Sequence, residues 1–183
     1  MKIPSALAGL LYRQFGRLPE SWRHFIVGRT SPAHRVGTAG IVRDGQGRIL
    51  LARHSYRAGW SLPGGMMGWS EHPLDTVTRE IHEEVGLMTR STGEPFTYWL
   101  RRPRRVEFIY DLELTGGCTA EDAKPRSPEI DEVRWFDEET PPELAPKTLD
   151  MIAWAQHLRA DRAQQAANLI GSPRGPRAHS SAG

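Results

Sequence analysis

The sequence has little of three features that would each point to a particular class of protein. Cys118 is the only cysteine among 183 residues, so no intrachain disulfide can form, and we expect a cytoplasmic protein. No apolar run approaches the roughly 20 residues of a membrane span. The 24 basic and 22 acidic residues leave a net charge of +2, which gives no general attraction to nucleic acid. With 38% hydrophobic and 25% charged residues, the composition is that of an ordinary globular domain.

Both ends of the chain differ from its middle. Apolar residues recur at spacings of three and four in the first 30 positions, which predicts helices, and Pro19 would divide them into two. This stripe consists of Leu7, Leu11, Phe15, Leu18, Trp22 and Phe25. It would pack on the main domain, with a homodimer contact or a membrane-surface helix as alternatives. We do not expect a signal peptide, because Arg13 and Arg17 follow the mildly apolar start at once.

Three segments follow from these patterns: an N-terminal helical extension (1–35), a main domain (36–168) and a tail (169–183). The tail is rich in Gly, Ser, Pro, Arg and Ala, a composition typical of disorder. In the main domain, short runs rich in β-branched residues alternate with helical patterns, which predicts an α/β fold. Strands are expected at 38–43, 48–52, 60–62, 96–101, 105–114 and 130–136, and helices at 73–85 and 148–167.

Three glutamates crowd the end of the first of these helices: Glu80, Glu83 and Glu84. Like charges three and four residues apart destabilise a helix. They also lie just before Gly86, a C-terminal stop, where the helix dipole disfavours negative charge by roughly 0.3–1 kcal/mol per group. This arrangement indicates a positive partner, and a divalent cation bound through oxygen is the simplest one.

The glutamates belong to a longer pattern from Gly65 to Leu87. Five residues separate Gly65 from Glu71, and Arg79-Glu80, Glu83-Glu84 and Gly86-Leu87 follow at fixed spacing. This pattern resembles the Nudix box, with every defining position filled. The resemblance implies a mixed β-sheet sandwiched between helices in an α/β/α arrangement. It also implies hydrolysis, dependent on Mg²⁺ or Mn²⁺, of the diphosphate bond in a nucleoside diphosphate linked to another moiety.

The resemblance also implies roles for individual residues. Glu80, Glu83 and Glu84 would bind the metal together with the backbone carbonyl of Gly65, and Glu83 or Glu84 would also activate water. Arg79 would hold the glutamates by ion pairing, and Glu71 would support the glycine loop. The residues between Gly65 and Glu71, Met66-Met67-Gly68-Trp69-Ser70, depart from the family, in which an acidic residue and a glycine are common there.

Other candidate site residues have two interpretations each. Glu129 either helps to bind the metal or activate water, or is a surface acid. The segment before the glycine loop either grips phosphates and stacks on a base or forms an exposed hairpin end; its candidates are Arg53, His54, Tyr56, Arg57 and Trp60. The aromatic and basic segment 98–105 contacts phosphate or an RNA end, or is a solvated loop.

The substrate is the least determined part of this hypothesis. ADP-ribose or a nucleotide sugar is the first choice, while oxidised nucleoside triphosphates, dinucleoside polyphosphates and capped RNA ends stay open. A different class of function is a nucleotide-sensing module with the same fold and weak or no turnover. An isomerase on the same fold is a third hypothesis. The intact glutamates favour the hydrolase over the sensor.

Overall fold

The structure, a computed structural model, describes residues 13–30 and 33–170. Its contacts divide the chain into two units, 1–35 and 36–183. In the first unit, residues 13–16 are helical and helix α1 spans Glu20–Thr30, so the helical pattern is interrupted at Pro19 as expected. Leu7 and Leu11 of the apolar stripe lie outside the described residues. The homodimer contact stays a prediction.

The second unit is built on a seven-stranded sheet. Its strands are β1 (Arg35–Arg43), β2 (Ile49–His54), β3 (Trp60–Ser61), β4 (Thr89–Ser91), β5 (Phe96–Leu100), β6 (Arg105–Leu114) and β7 (Ile130–Phe136). The order is β3-β2-β1-β6-β4, with β5 also paired to β6 and β7 also paired to β2. Strand β4 was not expected, since it has only three residues and no apolar alternation.

The first hairpin forms as the sequence predicts. β1 and β2 are antiparallel, with Arg43 opposite Ile49. The Asp44 carboxylate accepts hydrogen bonds from the backbone N–H groups of Gln46 and Arg48, both at 2.9 Å. Gly47 takes a positive φ of 80°, which a glycine adopts without steric cost. The Asp and Gly residues of the turn therefore fix the hairpin locally.

A helix covers each face of the sheet: α2 (Pro73–Val85) and α3 (Pro146–Ile170). Successive residues of β2 alternate between the two cores, because Leu50 packs with the α2 residues and its two neighbours pack with those of α3. The α3-side core comprises Ala39, Ile41, Ile49, Leu51, Leu62, Phe96, Ile109, Met151, Ile152 and Ala155. The α2-side core comprises Val42, Leu50, Val77, Ile81, Val85, Leu87, Tyr110 and Leu112. The expected α/β/α arrangement is confirmed.

Helix α2 has well-defined ends. His72 is its N-cap and accepts the Leu74 N–H at 3.3 Å, and Pro73 occupies the first turn. Gly86 ends the helix in the left-handed conformation at φ 78°, as its place in the sequence predicts. Two of the last carbonyl groups accept hydrogen bonds from the loop after β6: Arg126 N–H donates to Glu84 O at 2.8 Å and Lys124 N–H to Val85 O at 3.1 Å. The glutamate-bearing end of α2 is thus fixed from both sides.

Helix α3 is longer than the sequence pattern suggests and ends at Ile170, so residues 169 and 170 are helical. The rest of the predicted tail, 171–183, lies outside the described residues. In the part of the chain that the structure describes, no helix combines the length and the apolar character needed to cross a bilayer.

An ion-pair network ties α3 to the sheet and gives the first testable prediction. Arg159 donates to Asp111 at 2.9 Å and to Glu138 at 3.0 Å, and Arg43 pairs with both acids. Burial raises the pKa of Glu138, but Arg43 and Arg159 outweigh it and hold that pKa below its ordinary 4.5. We expect Arg159→Met to lower the free energy of unfolding by about 1–2 kcal/mol at pH 7, measured by urea denaturation.

The pH dependence of this effect follows from the lowered pKa. The stabilisation is complete above the ordinary value of 4.5 and is lost as the pH falls through the folded-state pKa. Wild type and Arg159→Met should therefore converge in stability in acid. The control is Arg90→Met, which removes an exposed pair with Glu113 and should cost less than about 0.5 kcal/mol. Equal losses in the two variants would contradict a special role of the network.

Candidate active site

The glycine loop before α2 is held between β1 and the glutamates. Thr38 N–H donates to Gly65 O at 2.8 Å, and Gly40 N–H donates to Pro63 O at 2.9 Å. On the helix side, Gly64 N–H donates to Glu84 Oε2 at 3.1 Å. A Cβ at residue 65 would lie 2.5 Å from Glu80 Oε1, so only glycine lets the helix carboxylate approach this closely.

The three helix glutamates have different surroundings. The Glu84 side chain is 10% exposed, that of Glu80 is 20% exposed and that of Glu83 is 57% exposed. Burial raises the pKa of Glu80, and the negative charges of Glu84 and Glu83 raise it further, against the opposing effect of Arg79. Arg79 therefore balances the negative charge of Glu80 only in part, and a cation bound at Glu80 would stabilise the ionised carboxylate.

Arg79 contacts three carboxylates at once. Its guanidinium donates to Glu71 at 2.9 and 3.1 Å, to Glu80 at 3.0 Å and to Glu83 at 2.9 Å. Hydrogen bonds from Arg79, and then from Gly68 N–H and the Thr76 hydroxyl, lower the pKa of Glu71 to about 2. Part of the positive charge that the glutamate cluster requires therefore comes from the chain itself.

A cavity of about 270 Å³ lies beside the glycine loop. The sequence-predicted residues that line it are His54, Tyr56, Arg57, Gly65, Glu80, Glu84 and Glu129, together with Arg105 from the aromatic and basic segment 98–105. Arg57 donates to the Tyr56 hydroxyl at 3.0 Å, which in turn donates to Glu129 Oε2 at 3.2 Å. Two acids from α2 and one from the loop before β7 thus face the same space, although 45 residues separate Glu84 from Glu129.

Four other candidates do not line this cavity. Arg53 pairs with Glu132 at 2.9 Å, and the Trp60 ring packs edge-on against Phe136 with 4.8 Å between centroids. Both side chains contact residues of β7 and lie outside the cavity lining, and their contact with substrate stays a prediction. Arg79 and Glu83 lie outside the lining and pair with each other.

Ser61 and Lys147 also line the cavity, although the sequence did not single them out. Ser61 Oγ lies 2.9 Å from His54 Nδ1, and His54 Nε2 lies 3.7 Å from Glu84 Oε1. All three side chains are buried, so this chain of contacts restricts the position of Glu84. Lys147 comes from α3 and pairs with Glu107 of β6. The local sequences of Ser61 and Lys147 give no signal, because their contacts join residues from different elements.

The carboxylates fit a divalent cation by their chemistry. Glu80 and Glu84 present hard oxygen donors, which suit Mg²⁺ or Mn²⁺, and the pKa of Glu80 is raised by burial and uncompensated negative charge. Within residues 13–30 and 33–170, however, no three His, Cys, Asp or Glu side chains are already arranged to hold a metal. Arg79 explains this, because it draws Glu80 and Glu83 toward its guanidinium. A cation would compete with Arg79 for Glu80.

Comparison with known proteins agrees with the geometry. The family model of the NUDIX domain matches residues 33–155. The chain belongs to the Nudix family. It is 29% identical over 122 residues to a MutT-like protein of Streptomyces ambofaciens, covering 67% of this chain and 74% of that protein. It is 31% identical over 122 residues to the CMP-5'-(N-acetyl-N-hydroxy-3-aminopropyl)phosphonate hydrolase of Streptomyces rubellomurinus, covering 60% of this chain and 56% of that protein.

Solved Nudix structures share the fold. A NUDIX hydrolase from Nitrosomonas europaea superposes with a TM-score of 0.60 at 22% identity, covering 73% of this chain and 74% of that one. A UDP-X diphosphatase gives 0.59 at 19% identity, covering 86% and 80%. The family assignment and its hydrolase relatives identify this Nudix protein as a pyrophosphohydrolase. Nudix hydrolases generally use divalent metals.

Proposed function

We propose that this Nudix protein hydrolyses the diphosphate bond of a nucleoside diphosphate linked to another moiety, with Mg²⁺ or Mn²⁺ as cofactor. The observation that carries the proposal is the convergence of Glu80, Glu84 and Glu129 on one cavity beside the close approach of Gly65. ADP-ribose and nucleotide sugars are the substrates to test first. The single cysteine is consistent with a cytoplasmic site of action.

The proposed roles follow from position. Glu80 and Glu84 would hold the metal, with the Gly65 carbonyl and Glu83 beside them. When bound, the metal neutralises the diphosphate charge and lowers the pKa of a water molecule. Glu129, fixed by the Tyr56 hydroxyl, can accept a proton from the attacking water. Addition of that water to phosphorus and cleavage of the bridging P–O bond give two phosphate products.

The size of the cavity limits what it encloses. At about 270 Å³ it lies just below the roughly 300–1,000 Å³ of sites that bury a whole drug-sized ligand. It accommodates the diphosphate and part of one neighbouring group, so the rest of the substrate would extend along the rim. One relative supports such a linked substrate, since its name specifies a CMP group joined to a substituted phosphonate.

A substrate panel tests the proposal. We expect Mg²⁺ or Mn²⁺, but not EDTA, to support release of a nucleoside monophosphate from at least one member of a set containing ADP-ribose, nucleotide sugars, nucleoside triphosphates and dinucleoside polyphosphates. Chromatography of the products identifies the bond cleaved. Tight nucleotide binding without turnover across the panel would overturn the proposal in favour of the sensor.

A further inference from the structure

A buried carboxylate on β6 lies on the α3 side of the sheet and has no role in the proposed chemistry. Glu107 is fully buried, with 0% of its side chain exposed. Its neighbours two residues away on the same face are Arg105 and Ile109, and Ile109 belongs to the α3-side core. A charged group therefore occupies a strand position that an apolar residue would normally fill.

Two cations from different elements balance this carboxylate. Glu107 Oε1 pairs with Lys147 of α3 and with Arg105 of β6. Gly37 of β1 leaves the space that the cluster needs, because a Cβ there would lie 2.6 Å from Glu107 Oε2. Within the described part of the chain, Glu107 Oε2 has no hydrogen-bond partner. Residues of β1, β6 and α3 thus make room for this buried acid and balance its charge.

Both cations keep a surface on the cavity. Arg105 and Lys147 line it, and their side chains are 25% and 33% exposed. Burial lowers the pKa of Lys147 against the opposing effect of Glu107, and the positive charges of Arg105 and Arg57 lower it further. Arg57 and Arg105 are thus close enough to Lys147 to affect its pKa, and the two cations that pair with Glu107 outnumber that single carboxylate.

A purely structural ion pair is an incomplete explanation of this cluster. Burying a charge costs several kcal/mol, and an apolar substitute is often as stable. A pair enclosed in the core would give its cations no access to a cavity, whereas Arg105 and Lys147 line the same cavity as Glu80 and Glu84. Lysine has three donors and arginine five, so each can bind Glu107 and a ligand oxygen together.

We propose that Arg105 and Lys147, positioned by buried Glu107, form a phosphate-binding subsite in the cavity that Glu80 and Glu84 also line. This inference rests on the proposed function, because it assigns the subsite to the substrate phosphate that is not bound through the metal at Glu80 and Glu84. The preferred substrate then carries a phosphate or equivalent anion at this position. A neutral group there would displace water from two partly buried cations without replacing its hydrogen bonds, which costs binding energy.

Binding of inorganic pyrophosphate in EDTA tests the subsite apart from catalysis. Without a divalent ion, the Glu80 and Glu84 carboxylates repel pyrophosphate, so its binding depends on Arg105 and Lys147. We expect isothermal titration calorimetry to show pyrophosphate binding to wild type, weakened about tenfold or more by Lys147→Met and by Arg105→Gln. Lys124→Met is the matched control, since Lys124 is exposed and outside the cavity.

The outcomes separate this inference from the proposed function. Absence of pyrophosphate binding to wild type, or equal binding by both variants and the control, would overturn the subsite. Should Lys147→Met fail to fold, as judged by circular dichroism, Arg105→Gln carries the test, because its side chain is partly exposed. Where a panel substrate is turned over, KM should rise about tenfold in Arg105→Gln with kcat changed less than about threefold. Failure of every substrate would contradict the proposed function and leave the titration result standing.

Discussion

Glu84→Gln is expected to lower kcat by roughly 100- to 10,000-fold in the presence of Mg²⁺. Glu84 is the most buried of the three helix glutamates and accepts Gly64 N–H at 3.1 Å. The amide keeps an oxygen for that hydrogen bond but removes the negative charge, so it cannot balance a cation or the charge that develops during the reaction. The fold should survive, because the side chains have the same size.

Steady-state kinetics on the best panel substrate and thermal unfolding of the same samples check this prediction. Glu121→Gln is the matched control, since it makes the same change at an exposed position and should leave kcat unchanged. Glu83→Gln should have the smaller effect of the two box variants, because 57% of that side chain is exposed and it lies outside the cavity. Near wild-type kcat in Glu84→Gln would refute its assignment as a metal ligand.

Arg79→Lys is expected to lower kcat about 10- to 100-fold, with little change in KM and a higher half-saturating Mg²⁺ concentration. Arg79 reaches Glu71, Glu80 and Glu83 at once, within 2.9–3.1 Å. Lysine retains the charge but has no planar fork, so it cannot hold two carboxylates in fixed directions. The glutamates would then spread over several rotamers and meet the metal less often in the productive arrangement.

The Mg²⁺ dependence of kcat separates a loss of glutamate positioning from a loss of stability. A less stable but otherwise intact enzyme would keep the same half-saturating Mg²⁺ concentration. Arg90→Lys provides the control: it alters an exposed arginine–carboxylate pair with Glu113, at 2.7 Å, that lies outside both the box and the cavity lining. Unchanged kcat and Mg²⁺ dependence in Arg79→Lys would show that charge, rather than geometry, is what Arg79 supplies.

The part of the site that lies within one sequence segment was predictable. The apolar spacing predicted the helix, the resemblance of Gly65–Leu87 to the Nudix box predicted the family, and the structure has Arg79 paired with Glu83 as their four-residue separation predicts. Gly86 ends the helix where expected. These features depend on helical geometry and on residues within about two dozen positions, so periodicity and spacing reveal them.

Arg105 ends the segment 98–105 that the sequence offered for phosphate contact, but its partners Glu107 and Lys147 were not predictable in the same way. Glu107 and Lys147 are 40 residues apart, and each has an ordinary local sequence; only the packing of α3 on the sheet brings them together. Conversely, Arg53 and Trp60 have the right chemistry for a nucleotide, yet pairing of β2 and β3 with their neighbours directs them to Glu132 and Phe136. Tertiary contacts decided these positions.

The loop that closes the end of α2 determines where this chain can change length. Arg126 N–H is bound to Glu84 O, and Glu129 O accepts Ser55 N–H at 2.9 Å, so both ends of the stretch between them are anchored. One inserted residue there would displace Glu129 by up to about 3.3–3.6 Å, more than a hydrogen-bond length. An insertion at Gly117, where a Cβ would meet nothing within 4 Å, is expected to leave the acid in place, because the bonded backbone of Lys124 and Arg126 lies between them.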